Sequence, residues 1–179
     1  TCAADTIAHL HDHPCVIGYT IFNEGWGQFD ADRLYRAFKA LDPTRFYDTA
    51  SGWFIPKETD VDSKHVYFRN KKLKPGKRPM FLSECGGYAR KIEGHLWNPK
   101  NEYGYGKTDT ETQLTAAIGK LYAEMVNPAI PEGLCGVVYT QLSDVEDEIN
   151  GLVTYDRKVI KAEKHSMRKI AQALQTEME

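Results

Sequence analysis

Apolar residues gather in short blocks along this chain, and each block stops at a polar or glycine-rich turn. Cys15 to Phe22 is a continuous apolar run of strand length, the pattern of a strand covered on both faces. Phe46–Ala50, Val61–Phe68, Met80–Glu84 and Cys135–Gln141 read as further strands, with the second interrupted by Asp62, Ser63 and Lys64. Between them lie helical spacings. Residues Ala3–His11 form a helix stopped at His13-Pro14. Asp30 offers an N-cap for Leu34, Phe38 and Leu41, and Asp42-Pro43 ends that helix. Leu114, Ile118, Leu121 and Met125 mark an amphipathic helix closed by Pro128, and a last helix follows Lys161. Strands alternating with helices predict an α/β fold with a parallel sheet and right-handed crossovers.

Composition narrows the picture. With 179 residues, 41% hydrophobic and 27% charged, the chain is long enough for one ordinary globular domain. A net charge of −2 gives no reason to expect nucleic acid or an anionic membrane as partner, and no apolar run approaches a bilayer span. The chain begins at Thr1, so an N-terminal segment is expected to be missing. Four cysteines without CxxC or zinc spacing read as free thiols in a reducing, cytoplasmic setting. His9 and His13 are four apart, but Pro14 distorts that register, and no metal or cofactor is expected. The "YGYGK" segment lacks the context of a phosphate loop, and "KKLKPGKR" reads as a solvated basic turn.

The candidate chemistry sits where the strands end. Asn23-Glu24, Ser51-Gly52-Trp53, His65 with Tyr67, Glu84 and Gln141 all fall at carboxyl ends, where parallel α/β folds collect their sites. Glu24 and Glu84 each follow an apolar strand and precede a glycine turn. Two carboxyl groups are what glycosidic cleavage requires, one as proton donor and one ionised. Aromatic rings suit the apolar face of a sugar, and Trp26, Trp53, Tyr67, Tyr88 and Trp97 lie in or beside these loops. A solvated or ion-paired role remains the plain alternative for either glutamate alone.

"HPCVIGYTIFNEGWG" resembles the acid/base segment of glycoside hydrolase family 2, the β-galactosidase, β-glucuronidase and β-mannosidase group. "PMFLSECGGY" resembles its nucleophile segment, and "GVVYTQLSDVEDEINGLVTYDRK" its last barrel strand and loop. The resemblance implies a (β/α)8 TIM barrel of which residues 1–179 are the C-terminal part, from about strand four to strand eight. The first three strands and the preceding β-sandwich domains would be missing partners, and open strand edges would favour self-association into a homo-oligomer. It implies retaining hydrolysis of a β-glycoside, with Glu24 as acid/base, Glu84 as nucleophile and Asn23 on the sugar 2-hydroxyl. Trp26, Trp53, His65, Tyr67 and Gln141 would contact or orient the substrate. Two departures stand out. Tyr139-Thr140-Gln141 replaces the tryptophan common at the last strand, and Glu148-Ile149-Asn150 lacks the lysine of glucuronide-binding members. Asn70-Lys71-Lys72 has a similar composition but lies in a different loop. A β-galactoside is therefore the first substrate expected; a carbohydrate-binding fragment without turnover is the alternative.

Overall fold

A computed structural model describes residues 2–176 and divides into two compact units. Among the described residues, one comprises residues 2–65 and 75–83, the other residues 66–74 and 84–176.

In the first unit, α1 (Cys2–Leu10) is followed by a strand–helix–strand segment: β1 (Gly18–Asn23), α2 (Ala31–Leu41) and β2 (Phe46–Ser51). β1 and β2 pair in parallel with Gly18 opposite Phe46 and Asn23 opposite Ser51. Asp30 stands at the N-cap of α2, but in a left-handed conformation that turns its carboxylate to Arg33 rather than to the helix amides. Tyr47 fills the core behind β2, its one hydroxyl proton shared between the carbonyls of Phe38 and Asp42 at the end of α2. Asp60 locks α2 to β2. It accepts from Lys39 Nζ (2.8 Å), the Tyr35 hydroxyl (2.6 Å) and the Tyr47 N–H (2.8 Å). Burial alone would raise its carboxyl; the three donors outweigh burial and hold it below the ordinary carboxylate range. β3 (Asp62–Val66) then runs beside β4 (Met80–Gly86), tied at its start by Asp62 N–H to Pro79 O.

In the second unit, the end of β4 lies beside β7 (Leu134–Thr140), and the short strands β5 (Tyr88–Arg90) and β6 (Gly106–Thr108) pair in parallel. Thr110 opens α3 (Glu111–Leu121) with a reciprocal capping box to Gln113. Leu114 and Ile118 of α3, with Ala162, form the core, over which Tyr139, Leu152 and Ile170 of α4 (Lys164–Thr176) pack. The predicted helix through Met125 is shorter than its apolar spacing implied. Regular α structure ends at Leu121, a wider π turn carries Tyr122–Val126, and a 3-10 turn holds Asn127–Ala129. Pro128 has no N–H to continue the ladder. After β7 the loop is built on Lys161, fully buried, whose ammonium donates to Asp144 Oδ1 (2.7 Å), Ile149 O (2.8 Å) and Arg90 O (3.0 Å). Desolvation lowers the lysine and raises the Asp144 carboxyl, so the pair persists only because each satisfies the other.

The half-barrel expected from the resemblance is not what the strands form. Seven short strands fall into three small sheets of two, three and two strands, and no repeating strand–helix barrel pattern runs through the described residues. A crossover helix needs a period of apolar residues. Residues 52–61, between β2 and β3, are rich in turns; residues 67–79, between β3 and β4, are rich in Lys, Pro and Gly, so neither link is helical. The expectation that β1 is covered on both faces also fails. None of its residues is fully buried, Thr20 and Asn23 are exposed, and Ile17 and Phe29 beside it are open to solvent. No helix among the described residues is long and apolar enough to cross a membrane.

Candidate functional site

Glu24 stands one residue past the β1–β2 ladder, its N–H donating to Ser51 O at 3.0 Å. Its φ of 54° lies in the left-handed region, which costs a non-glycine residue about 1–2 kcal/mol. Glycines at 25 and 27, also at positive φ, complete the turn. The result reverses the chain within a few residues and holds the Glu24 carboxylate against His65: Oε1 lies 2.6 Å from Nδ1 of a buried imidazole. Gly52 makes room for that ring. A Cβ at Gly52 would come within 2.5 Å of His65 Nδ1, and its φ of 81° suits glycine alone, which accounts for the Ser51-Gly52-Trp53 turn. Asn23 Oδ1 accepts from the Ser51 hydroxyl at 2.6 Å, which leaves the amide NH2 to donate elsewhere.

The aromatic residues expected here are near at hand and open. Trp53 sets its edge against His65 with ring centroids 6.3 Å apart. Trp26 is 80% exposed, and Phe54, whose ring covers Gly25, is 71% exposed with φ 54°. A buried chain runs behind them: the Ser63 hydroxyl donates to Asp48 Oδ2 at 2.7 Å and meets the Ser83 hydroxyl. Burial pushes the Asp48 carboxyl up.

Glu84 is held differently. It lies within β4, and the Tyr67 hydroxyl donates to its Oε2. Tyr67 also meets Thr140 Oγ1 at 3.0 Å; a phenol has one proton, so Thr140 supplies the second hydrogen bond. Burial first, then the Glu84 carboxylate, push the Tyr67 phenol above the usual tyrosine range. Tyr105 stacks on Tyr67 at 3.7 Å, nearly parallel, and a Cβ at Gly87 would strike the Tyr105 ring at 2.4 Å. Cys85, next to Glu84, is buried with its thiol toward Val138 O.

The structure thus brings Asn23, Trp53 and His65 to Glu24, and Tyr67 to Glu84. Gln141 is engaged within the protein, its amide donating to Glu148 Oε2 and Asn150 Oδ1, both at 2.8 Å. Those two acceptors occupy the stretch where glucuronide binding would have needed a lysine. Sequence reasoning singled out Ser51 at a strand end but missed Tyr105, the role of Thr140 and the Asp48–Ser63–Ser83 chain. Tyr105 lay in plain view inside "YGYGK", and the glycine at 87 was its signal. No protein-family model matches the chain, and no curated protein is significantly similar to it.

Proposed function

We propose that the chain carries the two carboxyl groups of a retaining β-glycosidase, with Glu24 as acid/base and Glu84 as nucleophile. The observation that carries this reading is the difference between their partners. Glu84 accepts a hydrogen bond from the Tyr67 phenol, which fixes the orientation of the carboxylate that a nucleophile must present. Glu24 faces an imidazole nitrogen that can either accept its proton or donate one to it. A partner of either hydrogen-bonding polarity suits a group that must give up a proton in one half-reaction and take one in the other.

In the first half-reaction a Glu84 oxygen bonds to the anomeric carbon while the glycosidic C–O bond breaks, and the departing oxygen takes the Glu24 proton. In the second, Glu24 removes a proton from water, the water oxygen attacks the anomeric carbon, and Glu84 leaves as carboxylate. The Asn23 amide NH2 meets the sugar 2-hydroxyl, and Trp26 and Trp53 offer stacking faces. A β-galactoside is the first substrate to try. The four cysteines are free thiols, which suits a reducing, cytoplasmic setting.

The test is turnover of 4-nitrophenyl β-galactoside by the full chain, with the anomer of the first product read by NMR. Wild type should release the β-anomer, and Glu84→Gln should lose several orders of magnitude in kcat while still binding sugar. Glu24→Gln should lose about 10²–10⁴-fold on a poor leaving group and much less on nitrophenol, which departs without a proton. Sugar binding with no turnover across a panel of β-glycosides would sink the catalytic reading in favour of a carbohydrate-binding module.

A further inference from the structure

The second unit has an open cleft of about 280 Å³ whose lining includes Trp97, Ser143, Glu146, Tyr155 and Arg157. It shares no residue with the candidate catalytic groups. Three features distinguish it from an ordinary surface hollow. Trp97 and Tyr155 form an aromatic pair with ring centroids 4.9 Å apart, yet Trp97 remains 57% and Tyr155 37% exposed. An indole and a phenol of that size contribute most to stability when covered, so leaving both open at one spot costs burial that the fold could have used. Glu146 and Arg157, on the same cleft, both have left-handed backbone with φ of 50° and 60°. Each is a strained conformation for a non-glycine residue, and such residues cluster at ligand clamps.

The walls are also fixed from behind. Asp144, which lines the cleft, is held by the buried Lys161 ammonium and accepts the Gly151 N–H at 2.8 Å. Asp156, between Tyr155 and Arg157, accepts from Thr154 Oγ1 at 2.7 Å, from the Lys158 N–H at 3.1 Å, and pairs with His95 Nδ1 at 2.8 Å. These bonds, the Thr154 hydroxyl first, hold the Asp156 carboxyl well below the usual carboxylate range. The cleft therefore has rigid polar walls around an aromatic face.

We infer that this cleft binds a neutral saccharide, with Trp97 and Tyr155 as the stacking surface and Glu146, Arg157 and Ser143 as hydrogen-bonding partners for its hydroxyls. The aromatic face matches the apolar C–H face of a pyranose. One exposed acid and one exposed base present both acceptors and donors without net charge, which fits hydroxyl groups better than a phosphate or an ammonium. The volume lies at the lower end of small-ligand pockets, roughly 300–1,000 Å³, so the ligand rests in the mouth instead of being engulfed. Such a subsite would retain a long substrate or product through one residue of its chain.

The inference does not depend on hydrolysis, and its test does not measure it. The full chain is titrated with cellotriose, β-1,4-galactotriose and maltotriose, following calorimetric heat and the indole fluorescence. Saturable binding of at least one trisaccharide is expected, weakened tenfold or more by Trp97→Ala, largely kept by Trp97→Phe, and unchanged by Lys120→Ala on the exposed face of α3. Circular dichroism melting of each variant separates loss of the site from loss of the fold. Binding that Trp97→Ala leaves intact in a folded protein, or no binding of any of the three sugars by wild type, would overturn the proposal. A charged sugar such as cellotriose sulfate binding while the neutral ones do not would overturn it as well.

Discussion

Glu24 and Glu84 both follow an apolar run of sequence, but the two units hold them by different means. Glu24 leaves β1 in the left-handed region, and its carboxylate is placed by a backbone turn that pushes it onto His65. Glu84 stays in the regular geometry of β4 and is placed by a side chain, the Tyr67 phenol, itself braced by Tyr105 and Thr140. Around both, large aromatic side chains stay exposed: Trp26, Trp53 and Phe54 in the first unit, and Phe68, beside Tyr67, in the second. One carboxylate is positioned at the cost of local strain, the other by packing.

The largest effect that would sharpen this comparison lies in the second unit. Lys161→Met leaves Asp144 buried without its counter-charge and should cost about 3–5 kcal/mol in urea unfolding. Replacing Asp144 by Leu in the same chain should recover much of that loss, because the unpaired charge is gone. If the single variant costs less than about 1 kcal/mol, the second unit is not organised around that pair.

A smaller effect is expected in the first unit from Asp60→Asn, about 2 kcal/mol at pH 7 for a carboxylate with three donors. The folded pKa of Asp60 is depressed, so its contribution is present above the unfolded value and fades as the pH falls through the folded one. Wild type and variant should therefore converge in stability on acidification below the ordinary carboxylate range. A difference that persists unchanged in acid would mean that the hydrogen-bond geometry, not the charge, carries the effect.

The smallest effect has the opposite sign. Phe54 is mostly exposed and sits at positive φ, so Phe54→Gly should raise stability by about 1 kcal/mol. A thermal melt that falls instead would show that the ring covering Gly25 contributes more than its backbone costs, and the strained half of the comparison would need revising.

Several elements were legible in the sequence because a single local signal determines them. The start of β2 at Phe46 and of β4 at Met80 were legible in the apolar runs, and the end of α2 in Asp42-Pro43. The arrangement of those elements was not, because pairing is a long-range property. The apolar run before Asn23 records a capacity for burial, and β1 realises it only in part, with no residue fully buried. Asp30 has the chemistry of a cap, but a left-handed backbone directs it to Arg33. At the candidate site, the glutamates and their neighbours in sequence could be named in advance. Tyr105 reaches Tyr67 from a distant loop, and no spacing rule connects an aromatic stack to its partner.

Cys85 links the site to a practical consequence. It is fully buried beside Glu84, and burial pushes its thiol up to about 12, while Cys2, Cys15 and Cys135 face solvent. An alkylating reagent at neutral pH will meet three thiols on the folded protein and a fourth only when β4 opens. The chain therefore carries a built-in clock for local opening at the very residue next to its candidate nucleophile, readable by mass spectrometry without any substrate.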